Sequence, residues 1–317
     1  MPNVVFRLAN EADLPAVLEM SEDIYGGHDY FVSEFLKFLN NPNRKILIAE
    51  MDGKTVGLRV MHIVDEGETV IGHSLRVHFQ HRCQGIGRQL IQECRNYVKD
   101  NFPQVKFERY LTGNAARLAI QKKSDDVKFH EAVAFARLVK SNASELNSRL
   151  ASYSTHQTTD LKQLNKTELE RILNHSQDQL RKILFKGKYI GVRQPFKALA
   201  SNITNGLFED DDAMFVSYSG ESLLSLSHSR WYPVAERPRL NIVCYTLDKE
   251  LLKFHLVKQL EYSITQHLGE TFIFAPMIDT SLVESTNDFL SKDLSLKTLR
   301  DGAKAYHNLY FYEKSFV

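Results

Sequence analysis

Leu75-Arg-Val-His-Phe-Gln-His-Arg-Cys-Gln-Gly-Ile-Gly-Arg-Gln-Leu90 runs an extended segment into a short polar loop and then directly into an amphipathic helix, with glycines at 85 and 87. Amide N–H groups at a helix start, beside glycines that let a ligand come close, form an anion site suited to a pyrophosphate. Arg82 and Arg88 add positive charge at that point. A glycine-containing helix entry with no ligand is the alternative reading of the same residues. Two nucleotide motifs fail on spacing. A dinucleotide fold needs a third glycine at 90, where Leu90 stands, and a P-loop needs Gly-Lys-Ser/Thr, whereas Gly87 is followed by Arg88 and Gln89.

Upstream, Val4 to Leu8 reads as a strand, and Asn10 with Asp13 three residues on signals a helix start. Leu14, Val17, Leu18 and Ile24 keep a helical period, which Gly26-Gly27 breaks before Phe31, Phe35, Phe38 and Leu39 resume it. Three apolar runs follow, Lys45 to Met51, Thr55 to Val64 and Glu68 to Val77, separated by Asp52-Gly53 and Asp65-Glu66-Gly67. Such turns predict an antiparallel meander. Ile86, Leu90, Ile91, Cys94 and Val98 mark one face of the next helix, and Val105 to Leu111 is a further strand. The order of elements predicts an α/β fold with a mixed, mostly antiparallel sheet.

Leu138 to Asp160 is rich in Ser, Thr and Asn and is read as a linker, which divides the chain into domains 1–145 and 146–317. Asn165 with Glu168 then opens a helix through a capping box. Beyond it strands are expected at Met214 to Ser219, Ser222 to Ser229, Leu240 to Thr246, Thr271 to Ala275 and Leu309 to Lys314, with a helix from Lys249 to His267. This order echoes the first half. Only Leu247-Asp248 separates strand from helix there, too short for a pyrophosphate loop, so the second half reads as a degenerate copy of the first. Glu209 to Asp212 is read as a solvated turn. The near-balance of 40 basic and 39 acidic residues in 317 excludes a globally basic nucleic-acid binder. Three scattered cysteines argue for a reducing compartment, the cytoplasm by default. Neither a signal peptide nor a membrane span is expected, since the densest apolar run, Phe272 to Ile278, is strand-sized and holds Pro276. A monomer is the favoured state.

Arg82-Cys-Gln-Gly85-Ile-Gly87 resembles the Arg/Gln-x-x-Gly-x-Gly/Ala signature of the GNAT N-acetyltransferase superfamily, and the surrounding strands and helices over residues 4–114 agree with it. Ile24 to Tyr30, Gly67-Glu-Thr and Gly72 to Val77 resemble the animal histidine N-acetyltransferase group, whose members carry a second half of similar length. The resemblance implies acetyl-coenzyme A as co-substrate, no metal, and direct attack by an amine in a ternary complex. Arg82, Cys83, Gln84, Gly85, Ile86, Gly87 and Arg88 would cradle the pyrophosphate. Leu75, Arg76 and Val77 would pair main chain to the pantetheine arm, with the Val77 N–H polarising the thioester carbonyl. The acceptor amine would enter where the strands 68–77 and 105–111 splay. Acetylation of the α-amine of a small amino acid, histidine first, is the implied activity. Another amine, a non-catalytic acyl-coenzyme A sensor, or a protein acetyltransferase are the rivals.

Amine attack needs a base. Strand alternation places Thr69, Ile71, His73, Leu75 and Val77 on one face, so His73 is the candidate base or substrate contact, with a merely packed histidine as the alternative. The histidine-acetylating group usually has Glu there. Asn114 matches the family's Asn after strand 5, but Gln121 stands where its acid tyrosine belongs, and Tyr110 is the substitute considered. Tyr25, Asp29 and Tyr30 are the candidate acceptor pocket, or else aromatic lids over a Gly-Gly turn. Trp231-Tyr232-Pro233 either reaches that pocket or plugs the domain interface. His78, His81 and Cys83 are spaced as zinc ligands would be, but the loop lacks a fourth.

Overall fold

The computed structural model describes residues 4–22, 24, 29–113, 126–155, 160–191, 193–234, 237–299 and 306–316. The first strand, β1 (Val5–Leu8), lies antiparallel to β2 (Arg44–Met51), which continues into β3 (Lys54–Val64) and β4 (Thr69–Val77) as the expected meander. Asn10 and Asp13 form a capping box that leads into α1 (Leu14–Ser21), and α2 (Phe31–Leu39) follows. From β4 the chain enters α3 (Ile86–Asn101) and returns as β5 (Phe107–Thr112), parallel to β4.

The sheet separates two apolar layers. Ile86, Leu90, Cys94 and Val98 of α3 pack on Leu47, Ala49, Met61 and Val70, whereas Val17, Phe31, Phe35 and Phe38 cover Ile46, Ile48, Leu58 and Val60 from the opposite face. A fully buried side chain such as Phe35 contributes roughly 1.5–3 kcal/mol.

The supposed linker is structured: it holds β7 (Arg137–Lys140), directly after β6 (Val127–Phe135), and α4 (Ser144–Thr155). The small residues misled because α4 buries only Leu146 and Leu150, a stripe too thin to register as amphipathic. The remaining chain forms β8 (Lys162–Leu164), α5 (Lys166–His175), α6 (Gln177–Ile183), and a separate hairpin of β9 (Lys188–Gly191) and β10 (Gln194–Lys197). A second meander follows, β11 (Ala213–Ser219), β12 (Ser222–Tyr232) and β13 (Arg239–Tyr245), then α7 (Lys249–Gln266) and β14 (Thr271–Asp279), parallel to β13. The chain closes with α8 (Val283–Asp288), β15 (Lys297–Thr298) and β16 (Tyr306–Ser315). The meander, helix and parallel strand thus occur twice.

One continuous sheet runs through both halves in the order β1-β2-β3-β4-β5-β16-β6-β14-β13-β12-β11-β8. The last strand, β16, sits against β5 of the first half, while β6 sits against β14 of the second. Arg109 of β5 is fully buried and binds Asp65 at 2.6 Å and Glu313 of β16 at 2.6 Å, with the Pro195 carbonyl at 3.1 Å. The Glu209–Asp212 turn is not merely solvated. Asp212 is buried, because it accepts from His228 at 2.8 Å and from both arms of Arg230 at 2.6 and 2.5 Å. Among the described residues no helix is long and apolar enough to cross a membrane.

Candidate active site

The β4 strand carries the decisive irregularity. Leu58 faces Arg76 and Val60 faces His73, so Arg59 stands opposite two residues, Ser74 and Leu75. That is a β-bulge, with Ser74 at φ +53°. It shifts the pleat by one residue. His73 and Arg76 lie on the α2 face, against Phe38 and Phe31, while Leu75 and Val77 pack with the α3 layer. Simple alternation had put His73, Leu75 and Val77 on one face. The bulge overturns that, because an extra residue moves every later side chain to the other side.

The same bulge frees an edge. Pairing between β4 and β5 covers only Thr69 to Ile71, after which the two strands part. The His78 N–H bonds the Val56 carbonyl and Val77 lies opposite Gly57, so in antiparallel pairing the Val77 amide turns away from β3, toward the opened side. Its carbonyl accepts from Arg82 Nε at 3.0 Å. Leu75, Arg76, Val77, Arg82, Cys83, Gly85, Ile86 and Gly87 line one open cleft of about 270 Å³, joined by Ile24 and His81. Gln84 and Arg88 are outside its lining, and both are exposed on the loop and helix start.

No side chain caps the start of α3, and Gly85 holds φ +85° there with open space where a Cβ would stand. The corresponding start of α7 is closed: Asp248 accepts from the amides of Glu250 and Leu251 at 2.8 and 2.9 Å. A carboxylate of the chain itself thus occupies in the second half the place that the first half leaves for an anion.

Asp29 and Tyr30 reach the site by different routes. Asp29 is buried and committed: it accepts from Arg76 at 2.9 and 2.5 Å and from the Phe31 amide at 3.1 Å. Its carboxylate organises the floor of the site and is not open to an amine. Tyr30 OH lies 3.0 Å from Ser74 Oγ, which lies 2.9 Å from His73 Nδ1, so the three groups form a chain. His73 Nε2 is buried without a hydrogen-bond partner. Burial first, then the charge of Arg44, holds this imidazole well below the usual histidine range and hence neutral. Tyr232 of the second half meets Tyr30 edge to face at 5.3 Å, while Trp231 packs elsewhere, on His267 and Phe272. Tyr110 donates to Asp126 at 2.6 Å, which engages it away from the cleft. Tyr25, Asn114 and Gln121 lie outside the described residues.

The pair His78 and His81 does not converge on Cys83 as a ligand set. His78 stacks on Phe79 at 4.5 Å and reaches Glu19 at 3.2 Å, and among the described residues no group of three His, Cys, Asp or Glu side chains comes together.

Residues 14–121 match the family model described as Acetyltransferase (GNAT) family, and residues 157–279 match Histidine N-acetyltransferase, C-terminal. The chain joins a GNAT acetyltransferase domain to a histidine N-acetyltransferase C-terminal domain. It is an N-acetyltransferase. Histidine N-acetyltransferase of Scomber australasicus is 27% identical, with 93% of this chain and 90% of that protein covered. The Oreochromis niloticus protein of the same name is 29% identical over the same shares. A tandem GNAT protein from the clavulanic acid biosynthesis pathway shares the fold, with TM-score 0.58 and 11% identity over 99% of each chain.

The bulge and the Asp29–Arg76 pair escaped the sequence, whereas Tyr232 belongs to the Trp231-Tyr232-Pro233 segment already expected to reach the pocket or plug the interface. For the bulge, a signal existed in the counts: Leu58 to Val60 spans three residues and His73 to Arg76 four, but only the register reveals the mismatch.

Proposed function

We propose that the enzyme moves an acetyl group from acetyl-coenzyme A to the α-amine of histidine by direct attack in a ternary complex. The cleft carries this reading: an uncapped helix start beside Gly85 and Gly87 adjoins the open edge of β4. The group fits what is present, since no side chain fills the helix start and Gly85 meets nothing within 4 Å of a would-be Cβ. Amides of the Gly85–Gly87 turn, with Arg82 at its mouth, would hold the pyrophosphate, and Arg88 would add charge from the surface. Leu75 to Val77 would align the pantetheine arm along the strand edge. Bound there, acetyl-coenzyme A supplies an activated acetyl thioester.

The Val77 N–H would donate to the thioester oxygen as negative charge builds on it. His73 Nε2 would take the amine proton, in the tautomer whose Nδ1–H donates to Ser74 Oγ, and the chain through Ser74 to Tyr30 OH offers a route outward. The new bond is nitrogen to acetyl carbon, the bond broken is carbon to sulfur, and the thiolate takes up a proton. The acceptor preference rests on the names of the relatives that match over 93% of the chain.

A thiol-release assay across free amino acids tests this. Turnover fastest with L-histidine is expected. Acetyl-coenzyme A binding with no thiol release on any amine would overturn it in favour of a sensor.

A further inference from the structure

Arg44 opens β2 and is 4% exposed, yet its guanidinium makes no hydrogen bond among the described residues, and its Nε is buried without a partner. The other buried arginines are all held. Arg59 bonds Glu108, Arg76 bonds Asp29, Arg109 bonds Asp65 and Glu313, Arg230 bonds Asp212, and Arg137 bonds the amide oxygen of Asn287. Arg44 has only the ring of Phe38 beneath it, at 4.0 Å. The carboxylates in its neighbourhood, Glu34 and Glu209, pair with Lys37, and Glu209 also with Arg230. A buried cation left this way is costly unless something negative completes it.

Its position says what. Arg44 stands directly opposite His62 on β3, and His62 lies one diagonal step from His73 on β4, ring centroids 6.5 Å apart. Phe38 packs against both Arg44 and His73. Three adjacent strands thus present Arg44, His62 and His73 on one face, and all three carry a nitrogen, Arg44 Nε, His62 Nε2 and His73 Nε2, that is buried and unpartnered. His62 is oriented by Gln194, at 2.8 Å. The arginine nitrogen is a permanent donor, and the two imidazole nitrogens, on rings that burial holds neutral, can each accept a proton. A molecule with a carboxylate at one end and an amine next to it answers both. Strands two apart are roughly 10 Å from each other, and Arg44 and His73 flank the His62 ring that stands between them.

We propose that Arg44 is the carboxylate anchor of the acceptor site, so that the enzyme takes free amino acids and discriminates against amines that lack the α-carboxylate. The inference rests on the acetyl-acceptor reading above. It assigns Arg44 as a binding residue, with His62, held by Gln194, as the spacer that keeps it beside His73.

The experiment measures L-histidine, L-histidine methyl ester and histamine by two readouts, thiol release and calorimetric binding to the protein saturated with coenzyme A. The wild-type enzyme is expected to prefer L-histidine over both carboxylate-free amines by roughly 10- to 100-fold in kcat/KM and in affinity. Arg44→Met should erase that preference by raising the KM of L-histidine, with acetyl-coenzyme A affinity retained. Arg44→Lys should recover part of it. Thermal stability separates anchor from prop: removing an unpaired buried charge should leave the melting temperature of Arg44→Met unchanged or higher, where a structural role would lower it. Equal handling of acid, ester and histamine by the wild-type protein would overturn the inference without any variant. Tight L-histidine binding with no thiol release would overturn the acetyl-transfer reading and leave the anchor standing. No binding of any amino acid would overturn the anchor, leaving the acetyl-coenzyme A cleft intact.

Discussion

Arg76 and Asp29 form a buried two-point ion pair, Nε to Oδ2 at 2.9 Å and Nη2 to Oδ1 at 2.5 Å, which fastens the segment before α2 to the strand that borders the cleft. Both side chains are almost wholly buried, so neither is available to bind a small molecule directly. Removing one partner leaves the other as an uncompensated interior charge. Asp29→Ala is therefore expected to destabilise the enzyme by about 3–5 kcal/mol in urea unfolding. An unchanged midpoint, with only the KM of the amine raised, would mean that Asp29 contacts substrate after all.

Gly87 offers a gentler probe of the cleft. A Cβ there would meet Val77 Cγ2 at 3.6 Å and Leu75 Cδ2 at 3.7 Å, ordinary contacts, and its backbone is not left-handed. Gly87→Ala should fold normally, while Gly87→Trp should fill the space between α3 and the strand edge. The expected outcome is loss of acetyl-coenzyme A binding by calorimetry in the tryptophan variant alone. Equal affinity in both would place the co-substrate elsewhere.

The His73–Ser74–Tyr30 chain predicts a graded series. His73→Ala should lower kcat by about 100-fold or more, as loss of a general base does. Tyr30→Phe and Ser74→Ala, which interrupt the outward route, should have smaller effects on kcat. Burial and the charge of Arg44 hold His73 well below the histidine reference of 6.5, so its limb in the kcat profile should lie on the acid side of that value. An activity limb that survives in His73→Ala would assign it to another group.

Acid stability follows from His255, buried between Ser225 and Ser227 with bonds of 2.7 and 2.8 Å. Burial lowers it to about 3. Its folded value is thus below its unfolded one, and stability is intact above about 6.5 and falls as the unfolded chain takes up a proton that the folded one refuses. By pH 5 this single group should account for about 2 kcal/mol of lost stability, with the loss growing until pH nears 3. Asp212, depressed in its turn by His228 and Arg230, weakens the fold as pH falls through the ordinary carboxylate range and below it. Urea titrations at pH 7 and 5 on wild type and His255→Asn check this: the variant should lose correspondingly less stability between the two.

Deleting residues 306–317 should prevent folding of the whole chain and not merely trim it. β16 fills the gap between β5 and β6, and Glu313 is one of two carboxylates on buried Arg109. Insoluble or protease-sensitive protein is expected. A soluble, acetyl-coenzyme A-binding product would show that the first half stands without this strand.

The sequence by itself determined the parts that are local. The Asp52-Gly53 turn, the capping residues Asn10 and Asn165, the helical stripe of Ile86, Leu90, Cys94 and Val98, and the glycines before α3 all express preferences that act within a few residues. Together these sufficed for the two meanders and the family signature. Tertiary structure decided everything that depends on which distant groups meet. Whether Ser74 is a pleated residue or a bulge depends on how many residues β3 sets opposite it. Whether Asp29 greets a substrate or an arginine depends on Arg76, 47 positions away. Placing β16 beside β5 required the chain to return across the full molecule. Arg44 reads in sequence as an ordinary strand-end cation. Only the folded enzyme shows it enclosed and unanswered, because burial and pairing are properties of surroundings that a linear spacing does not encode.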